Sequence, residues 1–344
     1  MRSDSRLHLV LVPHVNRAIW RIQVQALDVA HVLHDWDLSS IFAFAWGAQK
    51  SATLSHKANA EGAFGTRQMN TTIRRILTAN SLSRRIYCAA RQRYNIHRAA
   101  RGAGRYFLNA DEFKRALRAH GGTALVDLRT VDGLTITMRQ NYGDAMTLGD
   151  IFLDGCYVRD LTLADNPVVI DIGGFIGDFS LYAVKRLSAR RVIVCEPSPR
   201  NWALLVKNIA NNGYDAWIEP VHKAVTDGGN VMMNIDAPDE YQCMVSAYYP
   251  SDQPLSAVPG ISLAQLLRNH AVENVDLLKM DCEGAEYAIL ESTPADVLSC
   301  IRNIVFEYHD IDGGWARLEK VKQRLRREGY ALRVRRGLVT ASRS

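Results

Sequence analysis

The rhythm of apolar and polar positions changes near residue 124. Before it the signals are mixed. "RAIWRIQVQALDVAHVL" is compatible with a helix, "SHKANAEGAFGTRQMN" reads as loop, and "TTIRRILTANSLSRRIYCAARQRYNIHRAA" as a basic helix. Beyond it, "ALVDLRTVDGLTITMRQ" alternates on either side of Asp132-Gly133, the pattern of a β-hairpin. "TLGDIFLDGCY" predicts a short helix ending near Gly155. From Pro167 onward strands and helices take turns. "VVIDI", "RVIVCE", "WIEPVHKAV", "VDLLKMD" and "NIVFEYH" predict strands. "GDFSLYAVKRL" predicts a helix with Phe179, Tyr182, Ala183 and Arg186 on one face. "SPRNWALLVKNIANNG" predicts another, capped by Ser198, with Pro199 at its first position, an apolar stripe of Trp202, Leu205, Val206 and Ile209, and a stop at Gly213. "SLAQLLRNHA" is capped by Ser262, "EGAEYAILES" follows the fourth strand, and "GWARLEKVKQRLRREG" stops at Gly329. "VMMNIDAPDEYQCMVSAYYP" predicts an inserted hairpin, and "YALRVRRGLVTA" two short strands about Gly337. Such alternation predicts an α/β fold whose parallel sheet is covered on both faces. The organisation expected is a basic, partly helical extension over 1–110, a hairpin and short helix over 120–160, and the α/β domain over 167–342.

Charge sharpens this division. The net charge is +6, but residues 1–120 hold 19 Lys+Arg against 7 Asp+Glu, leaving 23 against 29 in the other 224. A basic arm on an acidic body suits an anionic partner, or is simply a solvated surface. Dense basic runs with interleaved aromatics, the mark of a nucleic-acid binder, are missing. The six cysteines are scattered singly, without a C-x-x-C pair, which suits reduced structural thiols. No apolar run is long enough to span a bilayer and no cleavable leader is recognisable, so a soluble, cytoplasmic protein is expected.

The chemistry is expected where the strands end. "DIGGFIGDFS" turns from a strand into a helix through Gly173, Gly174 and Gly177. Glycine there allows unusual dihedrals and close approach of a ligand, and the helix start offers free N–H groups. The spacing is G-G-x-x-G rather than the dinucleotide G-x-G-x-x-G, and Asp171 precedes it. An acid beside the turn repels a pyrophosphate and suits a cofactor carrying ammonium or sulfonium. That favours S-adenosylmethionine over NAD. Glu196, ending the second strand, is placed to accept from ribose hydroxyls, which both cofactors possess. Asp281 leaves the fourth strand at the same edge, Glu283 sits where the next helix is expected to begin, and Glu307 and His309 end the fifth strand.

Residues 168–310 resemble the FkbM family of S-adenosylmethionine-dependent methyltransferases. The resemblance rests on "VVIDIGGFIGDFSL", "CEPSPRNWALLVKNIANN", "SLAQLL", "DLLKMDCEGAEYAILES" and "NIVFEYH", in that order. Upstream, "TITMRQNYGDAMTLGDIFLDGCY" is similar to the family's arginine, aspartate and tyrosine lead-in. One departure stands in the turn, where the family commonly has Ala-Asn and this chain has Gly174-Phe175. The resemblance implies a class I methyltransferase fold with a doubly wound, seven-stranded sheet, and O-methylation of a sugar, glycoconjugate or natural product. It implies that Asp171, Gly173 and Gly177, with Gly174 and Phe175 in the same turn, hold the methionine end of the cofactor. Glu196, beside Pro197, would take the ribose, and Lys223-Ala224 would lie by the adenine. Asp281 is expected to face the cofactor. Candidates for the general base are Asp281, Glu283, Glu307 and His309. Asp281, Glu307 and His309 also offer donors to a divalent ion, but their spacing in sequence is not diagnostic of one, and no metal is expected. Rival readings are a methyltransferase of RNA or protein, a non-catalytic S-adenosylmethionine-binding module, and an NAD-dependent oxidoreductase.

Overall fold

The chain divides into two units, Met1–Arg91 and Gln92–Ser344. The computed structural model describes residues 92, 94–119, 122–233, 256–309, 314–335 and 337–343, all in the second unit. The expected basic extension falls largely outside the described residues. Residues 94–102 form a helix, followed by α1 (Ala110–Ala116). Ala99, Ala103, Phe107, Phe113 and Ala116 are buried in the same core as the hairpin beyond them. This stretch therefore packs with the domain.

The hairpin is β1 (Leu125–Arg129) and β2 (Thr135–Arg139), antiparallel, with Gly133 at φ 93° in its turn. Helix α2 (Tyr142–Leu148) starts earlier than the sequence suggests, because Asn141 caps it by accepting from Asp144 N, and it runs into a π-helical turn, Gly149–Leu153. Strand and helix then alternate through β3 (Val168–Ile172), α3 (Asp178–Leu187), β4 (Arg191–Cys195), α4 (Pro199–Asn211) and β5 (Ile218–Val221). The expected third strand breaks after Val221, and β6 (Ala224–Thr226) pairs instead with β9 (Gly260–Ser262). Between them β7 (Val231–Met233) pairs antiparallel with β8 (Ser256–Val258); β7 opens the stretch expected as an inserted hairpin, the rest of that stretch lies outside the described residues, and β8 falls beyond it. The chain continues through α5 (Leu263–Asn269), β10 (Leu277–Met280), α6 (Glu286–Ser292), α7 (Ala295–Ser299), β11 (Asn303–Glu307), α8 (Gly314–Arg327), β12 (Ala331–Arg335) and β13 (Leu338–Ser342).

The main sheet has seven strands in the order β12-β13-β11-β10-β3-β4-β5. The strands from β11 to β5 run parallel, and β13 joins β11 antiparallel. Alternation along each strand feeds two cores. Val169, Val192, Val194, Leu277 and Val305 face the core under α3, α4 and the hairpin. Ile170, Ile172, Ile193, Leu278, Met280, Ile304 and Phe306 face the core that also takes residues of α5 to α8. From β3 the chain winds outward through β4 and β5, then returns to β10 on the other side of β3. The carboxyl ends of β3 and β10 therefore flank a reversal of strand order, the place where open α/β sheets form a crevice.

One helix face departs from expectation. Helix α4 buries Asn201, Leu204, Leu205, Asn208 and Ile209, while Val206 is exposed and Trp202 half-buried. Its asparagines dock it to β2. Asn208 accepts from Thr137 N at 2.7 Å and donates to the carbonyls of Thr137 and Ile176, and Asn212 bonds both backbone groups of Thr135. Polar residues doing a strand's pairing are invisible to a search for apolar periodicity. Arg186, expected on the same face of α3 as Phe179, Tyr182 and Ala183, is exposed and pairs with Asp132 at 2.5 Å.

Candidate active site

The turn after β3 is shaped by left-handed backbone at Gly173 (φ 79°), Phe175 (φ 47°) and Gly177 (φ 84°). Gly173 and Gly174 both donate to Cys195 O, at 3.0 and 2.9 Å, which ties the turn to the end of β4. A Cβ on Gly173 would stand 1.9 Å from Asp281 O, and one on Gly174 2.1 Å from Val194 Cγ2. The neighbouring strands thus demand these glycines, a reason that lies beside the ligand approach expected from the sequence. At Gly177 a Cβ would meet Leu205 Cγ at an ordinary 3.4 Å, so what favours glycine there is the left-handed backbone that opens α3.

Glu196 follows β4 and is buried. Its Oε2 accepts from Phe175 N at 2.8 Å and its Oε1 from Ser198 N at 2.8 Å, so one carboxylate spans the turn and the helix cap. Burial pushes its pKa up to about 7, against those hydrogen bonds. Behind it stands a buried polar relay. Asn201 Nδ2 reaches Glu196 Oε1 at 3.5 Å, Arg139 Nη1 donates to Asn201 Oδ1 at 2.9 Å, and Arg139 Nε donates to Asp144 at 3.0 Å. The Arg139 guanidinium lies 5.1 Å above the Phe175 ring. The side chain that stands where the family has asparagine is therefore held by a cation–π contact.

Asp171 is fully buried. Its Oδ1 pairs with Lys279 Nζ at 3.0 Å and its Oδ2 accepts from Ser180 Oγ at 2.7 Å. Lys279 Nζ also donates to Gly173 O at 2.7 Å. Burial works against that ammonium, but Asp171, Asp281 and Asp178 outweigh it and hold its pKa above the ordinary value. The acid of this turn that does reach the crevice is Asp178, at the start of α3. It is 2% exposed, its Oδ1 accepts from Phe179 N at 2.8 Å, and its Oδ2 has no hydrogen-bond partner among the described residues. Burial pushes its pKa up to about 7.

A cavity of about 130 Å³, open to solvent, occupies the crevice. Of the residues expected in the site, Gly173, Phe175, Glu196, Pro197, Ala224, Asp281 and Glu283 line it. Asp171, Gly174, Gly177, Lys223, Glu307 and His309 stand outside its wall. Sequence reasoning missed Tyr157, Asp178, Asn201 and Lys279, which also line it. Tyr157 comes from the loop after the π-helical turn and donates its hydroxyl to Asp281 Oδ2 at 2.6 Å. The "GCY" that ends the lead-in was the available signal.

Beside the cavity, next to Asp281 and Glu283, lies a cluster of acids around one imidazole. Glu283 is in a turn ahead of α6, at φ 55°, so the helix-start role expected for it passes to Glu286. Glu286 accepts from Cys282 N and Gly284 N, both at 2.8 Å. His309 Nε2 is 3.3 Å from Glu283 Oε2, and its Nδ1 is 3.6 Å from Glu286 Oε1. Burial, then the Asp281 charge, pushes Glu283 up to about 7 and Glu307 up to about 8. Burial opposes charge on His309, but Glu286, Glu283 and Glu307 outweigh it and push its pKa up to about 9. One donor atom each from Asp281, Glu307 and His309 fall within 4.8 Å of one another. Among the described residues no helix is long and apolar enough to cross a membrane.

Residues 171–332 match the family model described as the methyltransferase FkbM domain. A curated methyltransferase, sdnD of Sordaria araneosa, is 24% identical over 209 residues, covering 48% of this chain and 74% of its own. The 31-O-demethyl-FK506 methyltransferase FkbM of Streptomyces tacrolimicus is 26% identical over 238 residues, covering 60% of this chain and 88% of its own. Among solved structures, methyltransferase FkbM from Methylobacillus flagellatus KT is 14% identical with a TM-score of 0.39, covering 58% of this chain and 54% of its own length.

Proposed function

Because residues 171–332 make this chain an FkbM-family methyltransferase, we propose that it transfers the methyl group of S-adenosylmethionine to a hydroxyl of a sugar, glycoconjugate or natural product. We read its sheet as the doubly wound sheet of a class I methyltransferase. The observation that carries the reading is the unpartnered Asp178 Oδ2, buried in the wall of a cavity that Glu196 also lines. An orphaned carboxylate oxygen costs free energy unless a donor arrives, and the α-ammonium of the cofactor is such a donor. Asp171, which the sequence assigned to that end, is already committed to Lys279 and Ser180. It acts one layer down, holding the lysine that grips the Gly173 carbonyl. Glu196 keeps acceptor capacity for ribose hydroxyls, and Ala224 with Val225 gives an apolar wall for the base.

When bound, S-adenosylmethionine supplies an electrophilic methyl group on its sulfonium. The chain's own task is alignment and proton removal. Tyr157 fixes the rotamer of Asp281 at the cavity wall, so the carboxylate meets the acceptor in one orientation. Asp281 and Glu283, which both line the cavity, receive the hydroxyl proton, with Glu307 and His309 behind them. The pKa values near 7 and 8 in this cluster suit proton uptake at neutral pH. The oxygen acceptor is supported by the relative named as a 31-O-demethyl-FK506 methyltransferase.

The experiment is transfer of isotope-labelled methyl from S-adenosylmethionine to a panel of glycosides and polyol natural products, with RNA and protein fractions in parallel. Label in the hydroxylated small molecules is the expected result. Label confined to RNA or protein would overturn the acceptor class.

A further inference from the structure

We propose that Asp281, Glu307 and His309 form a binding site for a divalent cation, of the oxygen-preferring class that includes Mg²⁺ and Mn²⁺, beside the cavity. The backbone builds the triad. Strands β10 and β11 are parallel neighbours with Met280 opposite Phe306, so the next residues, Asp281 and Glu307, leave the sheet side by side. Tyr308 N donates to Gly337 O at 3.0 Å, which keeps the chain extended past Glu307. Period-two alternation then returns His309 to the side that Glu307 occupies. The result is one donor atom from each within 4.8 Å of the others. Ligands about 2.1–2.3 Å from a central cation stand roughly 3 Å apart when adjacent and about 4.4 Å apart when opposite. The triad therefore spans a coordination sphere without rearranging the backbone.

The bonding state of the three residues supports the assignment. Tyr157 occupies one oxygen of Asp281 and orients the group. No protein donor meets the other oxygen among the described residues. His309 Nδ1 is closed off from solvent and, among the described residues, has only the 3.6 Å approach of Glu286 Oε1, too long for a hydrogen bond. Its Nε2 contact with Glu283, at 3.3 Å, is longer than the 2.7–2.9 Å of a charge-assisted hydrogen bond. Glu283 then pairs with the imidazole as an orienting carboxylate, the usual partner of a metal-bound histidine. A cation here would let an acceptor hydroxyl bind and lose its proton more readily to Glu283, with Asp281 then serving as ligand rather than base. The cation site stands on geometry alone, and only its use in hydroxyl activation rests on the methyltransferase reading.

The test is uptake of Mn²⁺ by the chelator-treated full chain, followed as loss of the free Mn²⁺ electron-paramagnetic-resonance signal, with Mg²⁺ as competitor. The expected result is a single saturable site per chain that Mg²⁺ displaces. Glu307→Gln, Asp281→Asn and His309→Gln should each weaken it about tenfold or more. Glu319→Gln, an exposed change on α8, should leave uptake unaltered. Circular dichroism confirms that each variant is folded, and if the Asp281 variant is not, the Glu307 and His309 variants carry the comparison. Absence of uptake at millimolar Mn²⁺, or equal uptake by wild type and the folded triad variants, overturns the site. S-adenosylmethionine binding is measured on the same metal-free samples. Cofactor binding without Mn²⁺ uptake rejects the cation site and leaves the methyltransferase reading standing. Uptake without cofactor binding does the reverse.

Discussion

The Tyr157 hydroxyl donates to Asp281 Oδ2 at 2.6 Å, joining the loop after the π-helical turn to the end of β10. Tyr157 is buried against Phe179, edge to face at 5.4 Å, so the phenol has little freedom to point elsewhere. Tyr157→Phe removes the donor and keeps the ring. A hydrogen bond to a charged group contributes about 1.5–3 kcal/mol. Methyl transfer should therefore fall about tenfold or more, while S-adenosylmethionine affinity stays within a few-fold. Steady-state kcat, with cofactor binding measured alongside, checks this. An unchanged kcat would remove Asp281 orientation from the mechanism.

Lys279 holds the floor of the site together. It is 3% exposed and faces Asp171, Asp178 and Asp281. Lys279→Met leaves those carboxylates without their cation, a loss of about 3–5 kcal/mol for breaking a buried pair. The expected outcome is a large drop in the urea midpoint, partly recovered in a Lys279→Met, Asp171→Asn double variant. Two variants of equal stability would show that the pair does not act as a unit.

Asp178 gives the ligand-free protein a pH signature. Its pKa is raised from 3.8 to about 7 by burial, with Lys279 lowering it and Asp171 and Asp144 raising it. A raised folded-state pKa means the folded chain holds the extra proton. The associated stability is fully present below pH 4 and is lost as pH rises through 7. Asp178→Asn should abolish that loss. The stability of the variant relative to wild type should rise between pH 4.5 and 7.5 by something on the order of 2–4 kcal/mol. Urea denaturation at several pH values, without cofactor, measures it. A difference independent of pH would mean that Asp178 does not carry the proton.

The order of strands and helices from Pro167 was legible because buried parallel strands are short apolar runs and the caps at Ser198 and Ser262 are explicit. Glu196 and Asp281 were legible because they stand one residue past such runs. The role of Asp171 was not. Its register placed it at the sheet edge, but nothing in the sequence showed that Lys279, on the adjacent strand, would turn inward to meet it at 3.0 Å. Burying a lysine in an apolar run is a long-range decision. The glycines of the turn were identified correctly and explained incompletely, since the obstacle to a Cβ at Gly173 is the backbone of Asp281, far along the chain. The asparagines that dock α4 on β2 were hidden for a related reason: hydrogen bonds between side chain and backbone have no period.

The crevice between β3 and β10 is proposed to hold S-adenosylmethionine, with Glu196 on its ribose. Calorimetric titration of the purified chain with S-adenosylmethionine, with NADH and the Glu196→Ala variant as comparisons, tests it most directly. The account predicts saturable binding of S-adenosylmethionine by wild type, weakened by roughly 1–3 kcal/mol in Glu196→Ala, and no binding of NADH. Tight NADH binding with none of S-adenosylmethionine, or equal S-adenosylmethionine affinity in wild type and Glu196→Ala, would contradict it.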